Sequence, residues 1–124
     1  MPRISIPVLH MFAALLQTAH AARVALPTPA GSGSFGSSVT ALPKRNIVVT
    51  DLGFDDPVSG VLNVGAVHLL SPSGALISTL RGSTANDSVG RGIIVLPNGN
   101  YLVASSVWGS LDQGAVTFCR ADSG

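Results

Sequence analysis

The chain has 124 residues, enough for one domain, and a formal net charge of +1 from seven Lys and Arg against six Asp and Glu. So even a balance argues against nucleic acid or an anionic membrane as the main partner. Cys119 is the only cysteine, which excludes an internal disulfide and a Cys-built metal cage.

Residues 1–22 read as a secretory signal peptide. Met1-Pro2-Arg3 gives a short basic start, residues 4–16 are mostly apolar, and Ala19-His20-Ala21 fits a small-x-small cleavage site after Ala21 or Ala22. The apolar run is broken by Pro7 and His10 and falls short of the roughly 20 residues that a spanning helix needs. The expectation is a signal helix that is removed, no transmembrane segment in the mature chain, and a secreted or cell-surface location. Cleavage would remove Arg3 and leave six Lys and Arg against six Asp, with no Glu. A Gly, Ser, Thr and Asn-rich chain so poor in charge suits an extracellular β-protein.

Residues 23–34, with Pro27, Pro29, Gly31 and Gly33, lack an apolar period and read as a linker. A repeat follows. At an offset of 54, Val39-Thr40-Ala41-Leu42-Pro43-Lys44-Arg45-Asn46-Ile47-Val48-Val49-Thr50 lies over Ile93-Ile94-Val95-Leu96-Pro97-Asn98-Gly99-Asn100-Tyr101-Leu102-Val103-Ala104. Gly65-Ala66-Val67 lies over Gly114-Ala115-Val116 at an offset of 49, so the first copy carries five extra residues in a loop.

Each copy reads as a meander of short strands. The first opens with a strand over residues 39–42, turns at Pro43-Lys44-Arg45-Asn46, and returns through the β-branched run 47–50. In the second copy Pro97-Asn98-Gly99-Asn100 centres Asn-Gly, the pair suited to a two-residue hairpin turn. Lys44-Arg45 predicts a different or looser turn in the first copy. Variable loops then span 51–63 and 105–113 before third strands over 65–70 and 114–119. Ser71-Pro72-Ser73-Gly74 turns the first copy into a fourth strand over 75–80, and residues 81–88 connect to the second copy. The expected fold is all-β, with antiparallel four-stranded meander repeats forming a partial β-propeller of about one and three quarter blades: 35–87 for the first and 88–124 for the second.

Phe35-Gly36, the hairpin, the loop and Gly65-Ala66-Val67 resemble the FG-GAP repeats of integrin-type β-propellers. The stretch 35–51 is still more similar to a bacterial repeat of unknown function found in tandem in large secreted and surface proteins, which implies architecture but no activity. Calcium-binding FG-GAP repeats place an oxygen cluster in the first hairpin. Leu42-Pro43-Lys44-Arg45-Asn46 and Leu96-Pro97-Asn98-Gly99-Asn100 lack the carboxylates that calcium needs. The order strand, Pro-Asn-Gly-Asn, strand also resembles lactonase and NHL-type propellers, whose metal ligands come from many blades.

Few residues suggest chemistry, and no cofactor is implied. Asp51, Asp55 and Asp56 form the one carboxylate cluster, a weak metal candidate, since Asp-Asp-Pro in a loop more often starts turns by bonding its own backbone. His68 would be the one histidine left after cleavage and has no second histidine to share a metal. Phe54 and Trp108 occupy equivalent loop positions and are candidate anchors for a protein or glycan ligand, or else packing residues between repeats. The functional expectation is a non-catalytic scaffold or adhesion module whose contacts lie in the loops 53–62 and 107–113, with self-association or further repeats among its partners. The alternatives are a fragment of a propeller-type hydrolase and a remnant of a longer repeat protein without activity of its own.

Overall fold

A computed structural model describes Arg23 and residues 25–124. The expected signal peptide, residues 1–22, lies outside the described residues. The chain forms seven strands and no helix among those residues: β1 (Phe35–Ala41), β2 (Ile47–Asp51), β3 (Ala66–Leu70), β4 (Leu76–Arg81), β5 (Gly92–Val95), β6 (Tyr101–Ser105) and β7 (Ala115–Cys119). They make two antiparallel meanders, ordered β1-β2-β3-β4 and β5-β6-β7, and neither closes into a barrel. The all-β expectation holds, with four strands in the first copy and three in the second.

The two sheets stack through opposite faces of the repeat. In a strand alternate residues face opposite ways, and cross-strand partners share a face. Val48 pairs with Leu69 and Thr50 with Val67, which places these four on one face of the first sheet. Tyr101 pairs with Cys119 and Val103 with Thr117, on one face of the second. Val48, Val67 and Leu69 form a single buried cluster with Tyr101, Val103 and Cys119, flanked by Leu42, Val89 and Ala121. The two copies therefore pack the Val48–Leu69 face of the first against the Tyr101–Cys119 face of the second.

Two polar ties fix the stack at its ends. At one end the Asn46 amide donates to the Ala121 carbonyl at 2.8 Å, and the Ala121 N–H donates to Asn100 Oδ1 at 3.0 Å. At the other, Gly65 and Val89 form a parallel bridge between the start of β3 and the chain entering the second copy.

The hairpin turns correct the expectation drawn from Asn-Gly. Leu42 N donates to Asn46 O and Arg45 N to Leu42 O; Leu96 N donates to Asn100 O and Gly99 N to Leu96 O. Both copies thus make the same three-residue loop, a β-turn followed by one residue in the left-handed region. That residue is Gly99 at φ 90° and Arg45 at φ 79°, while Lys44 and Asn98 keep negative φ. The third turn, 71–75, repeats the bonds with Gly74 at φ 89°. A second difference is that β1 begins at Phe35 rather than Val39. The register shifts between Phe35 and Ser38, a bulge that Gly36 permits at φ 93°.

Candidate functional site: the loop end

Because each sheet is a meander, the loops β2–β3 and β6–β7 and the connection from β4 to β5 all emerge at one end of the stack. Side chains knit them together. Asn63 Nδ2 donates to Asn86 Oδ1 at 3.3 Å, joining the first loop to the connection. Asp87 is fully buried there, with Oδ2 accepting the Ser83 and Thr84 amides at 3.0 and 2.9 Å and Oδ1 accepting the Gly109 amide at 2.9 Å. Burial opposes the charge on Asp87, but the three amide donors outweigh it and hold the carboxyl below the ordinary carboxylate value.

The three aspartates singled out from the sequence are turned to separate tasks. Asp51 Oδ1 accepts the Gly33 and Ser34 amides at 3.3 and 2.7 Å. Asp55 Oδ1 accepts the Asn63 amide at 2.7 Å. Asp56 accepts from the Val58 amide and the Ser59 hydroxyl and pairs with Arg81 at 2.7 Å. Ser59, then Val58 and Arg81, keep the Asp56 carboxyl low. Among the described residues no group of three or more His, Cys, Asp or Glu could hold a metal ion. The stretch preceding β1 packs against this loop, since Asp55 N also donates to Gly31 O at 2.8 Å.

The structure separates the two loop aromatics. Their backbones are equivalent: Phe54 N donates to Asp51 O and Gly65 N to Phe54 O, while Trp108 N donates to Ser105 O and Gly114 N to Trp108 O. Yet Phe54 is 4% exposed and Trp108 39%. Phe54 packs with Val64 and Ala66 and meets the His68 ring edge-on at 5.6 Å, with Phe35 against His68 at 5.7 Å. The expectation of a surface anchor at Phe54 is therefore corrected: its ring is part of the core. The Val49–His68 face of the first sheet receives that ring, whereas the corresponding Val103–Thr117 face of the second sheet packs against the first sheet, and Trp108 stays partly exposed. Val58 and Leu62 on the first loop and Leu111 on the second join Trp108 as exposed apolar side chains, and sequence reasoning gave them no particular role.

Beneath Phe54, His68 and Asp51 are fully buried. Burial pushes the His68 imidazole below its ordinary value, with the Asp51 charge opposing, which favours the uncharged ring. Its Nδ1 shares a hydrogen bond with Thr79 Oγ1 at 3.0 Å. His68 Nε2, Asp51 Oδ2 and Ser32 Oγ are buried without a hydrogen-bond partner. Ser, His and Asp are the residue types of a nucleophilic triad. Here His68 Nδ1 is engaged by Thr79, Asp51 Oδ1 by two backbone amides, and the ring lies under two phenylalanines, so the bonds of a triad are not made. Cys119 is buried, and burial pushes its thiol up, away from the reactive thiolate.

Fold and loop end together describe an all-β repeat protein of two stacked antiparallel sheets. Residues 95–124, which take in β6 and β7, match a repeat of unknown function (DUF5650). No curated protein and no solved structure matches the chain. The repeat seen in the sequence is supported by this match, which does not extend to FG-GAP repeats. Among the described residues no helix is long and apolar enough to cross a membrane.

Proposed function

We propose that this chain is a non-catalytic, secreted or cell-surface β-repeat module, built like part of a propeller, whose loop end binds a protein or glycan partner. The observation that carries this reading is the contrast between copies: the strands repeat, while the loops at one end differ and present Val58, Leu62, Trp108 and Leu111 to solvent. Aromatic and aliphatic side chains on a rigid frame are suited to anchor a partner. The engagement of His68 Nδ1 by Thr79 and of Asp51 Oδ1 by two backbone amides, together with the buried thiol of Cys119, supports the reading without a catalytic role. Secretion rests on the sequence of residues 1–22.

Two measurements test the reading. The amino terminus of the protein purified from its source should begin at Ala22 or Arg23 and be recovered from medium or cell surface; a cytosolic chain retaining Arg3 would sink the secretion reading. On a glycan array and a panel of extracellular matrix proteins, Trp108→Ala with Leu111→Ser should lose at least about tenfold in affinity while keeping the parent β-sheet circular dichroism, as expected for truncating a central anchor. Retention of full binding by that variant would remove the loop end from the function.

A further inference from the structure

The stretch before β1 touches the first sheet at both of its ends. At one, Leu26 packs over Gly74 of the turn between β3 and β4, where an added Cβ would meet Leu26 Cδ2. At the other, the Gly31 carbonyl accepts the Asp55 amide at 2.8 Å. Residues 26–34 are thus a strap over the Val49–His68 face, and three buried polar atoms beneath it have no hydrogen-bond partner: Ser32 Oγ of the strap, Asp51 Oδ2 of β2 and His68 Nε2 of β3. Their positions converge. Val49 lies opposite His68 and Asp51 opposite Ala66, so Asp51 and His68 are diagonal neighbours on one face. Gly33 and Ser34, which follow Ser32, both donate to the other oxygen of the same carboxyl. The Asp51 charge is felt at the imidazole, yet no bond joins the two side chains. Phe35 and Phe54 flank that ring at 5.7 and 5.6 Å and offer it no polar group. Native interiors rarely leave such atoms unpaired.

We propose that Ser32 Oγ, Asp51 Oδ2 and His68 Nε2 form a site for one internal water molecule, which latches the strap onto the first sheet. The hydrogen-bonding capacities match a water in either tautomer of the ring. Where Thr79 donates to Nδ1, Nε2 carries the proton; the water accepts it and donates to Asp51 Oδ2 and Ser32 Oγ. Where Nδ1–H donates to Thr79, Nε2 is an acceptor; the water donates to Nε2 and Oδ2 and accepts the Ser32 hydroxyl. Each arrangement gives the water three bonds, the usual number for one held inside a protein. A direct contact between ring and carboxylate would serve the first tautomer alone and leave Ser32 unpaired. The site lies beneath the strap, apart from the exposed loop side chains, and does not depend on the function proposed for them.

A crystal structure of the parent protein should place a water within hydrogen-bond distance of all three atoms, and in solution a long-lived water should show cross-relaxation with the His68 ring protons. Ser32→Ala should speed amide exchange at Gly33 and Ser34 about tenfold, because the strap then loses its bridge to the sheet. In a His68→Leu background, where the bridge is already broken, the same change should have an effect below about twofold, whereas separately satisfied groups would give the full factor again. Three results overturn the proposal: a direct bond between His68 Nε2 and Asp51 Oδ2 with no water, independent factors in the two variants, or a metal ion at the site, revealed by loss of Gly33 and Ser34 protection on adding a chelator. The crystal and cross-relaxation measurements use the parent protein and decide the question even where His68→Leu does not fold.

Discussion

At the residue scale, two buried ionisable groups set the acid response. His68 is held below its ordinary value of 6.5, so between that value and its folded one the unfolded chain binds a proton that the folded chain refuses. Stability is complete above about pH 6.5 and declines as the pH falls from there. Asp87 is held below 3.8, so its contribution is present above the ordinary carboxylate value and is lost as the pH falls through the lowered one. Urea midpoints measured from pH 7.5 to 3 should fall in both windows; His68→Leu should flatten the upper one, and equal slopes in parent and variant would exclude the imidazole as its cause. Asp87→Ala should cost about 3 kcal/mol at neutral pH, because it strands three amide donors at once, and should speed amide exchange at Gly109 as well as at Ser83 and Thr84. The sequence does not disclose Asp87 as a clamp, because its partners are backbone amides, which leave no mark on residue identity. Nor does it separate Phe54 from Trp108, since equal positions in a repeat become unequal only when neighbours cover one copy and not the other.

At the element scale, the repeat made the strands legible and misled at the turns. The runs 47–50 and 65–70 and their second copies are strands because β-branched and alternating apolar residues fit a pleated surface buried on at least one side. The turn type is set by how many residues separate the last ladder pairs, and this number is the same for Leu42-Pro43-Lys44-Arg45-Asn46 as for Leu96-Pro97-Asn98-Gly99-Asn100. Geometry common to both copies therefore overrides the Asn-Gly preference, and the first copy holds an arginine where the second has glycine. Left-handed backbone costs a residue with a Cβ about 1 kcal/mol, so Arg45→Gly should raise the free energy of unfolding by up to that amount. A fall in the denaturation midpoint would show that the Arg45 side chain has a stabilising contact that outweighs the backbone gain.

At the scale of the whole molecule, one apolar layer joins both sheets, and neither sheet retains that cover without the other. Leu69 lies fully buried in this layer. Leu69→Ala should cost about 3 kcal/mol through lost contact and the cavity left behind. Trp108 fluorescence, which reports the second sheet, and far-ultraviolet circular dichroism, which reports both, should shift together. Two separate transitions would mean that the sheets fold independently. The stacking of two sheets was legible from the repeat, whose two copies read as neighbouring blades. Which face meets which was not, because both faces of the first sheet carry apolar residues: Val48, Val67 and Leu69 on one, Val49 and Leu70 on the other.

The meander has a consequence for how the chain can be made. Every strand pairs with its neighbour in sequence, so none must wait for a distant segment still to be synthesised. The first sheet can assemble while β5 is still inside the ribosome. Its Val48, Val67 and Leu69 face then stays wet until the second copy arrives. The interval between the two copies is thus the stage of biogenesis most exposed to off-pathway capture, and slowing delivery after Arg81 should lower the yield of folded protein more than an equal delay before Phe35.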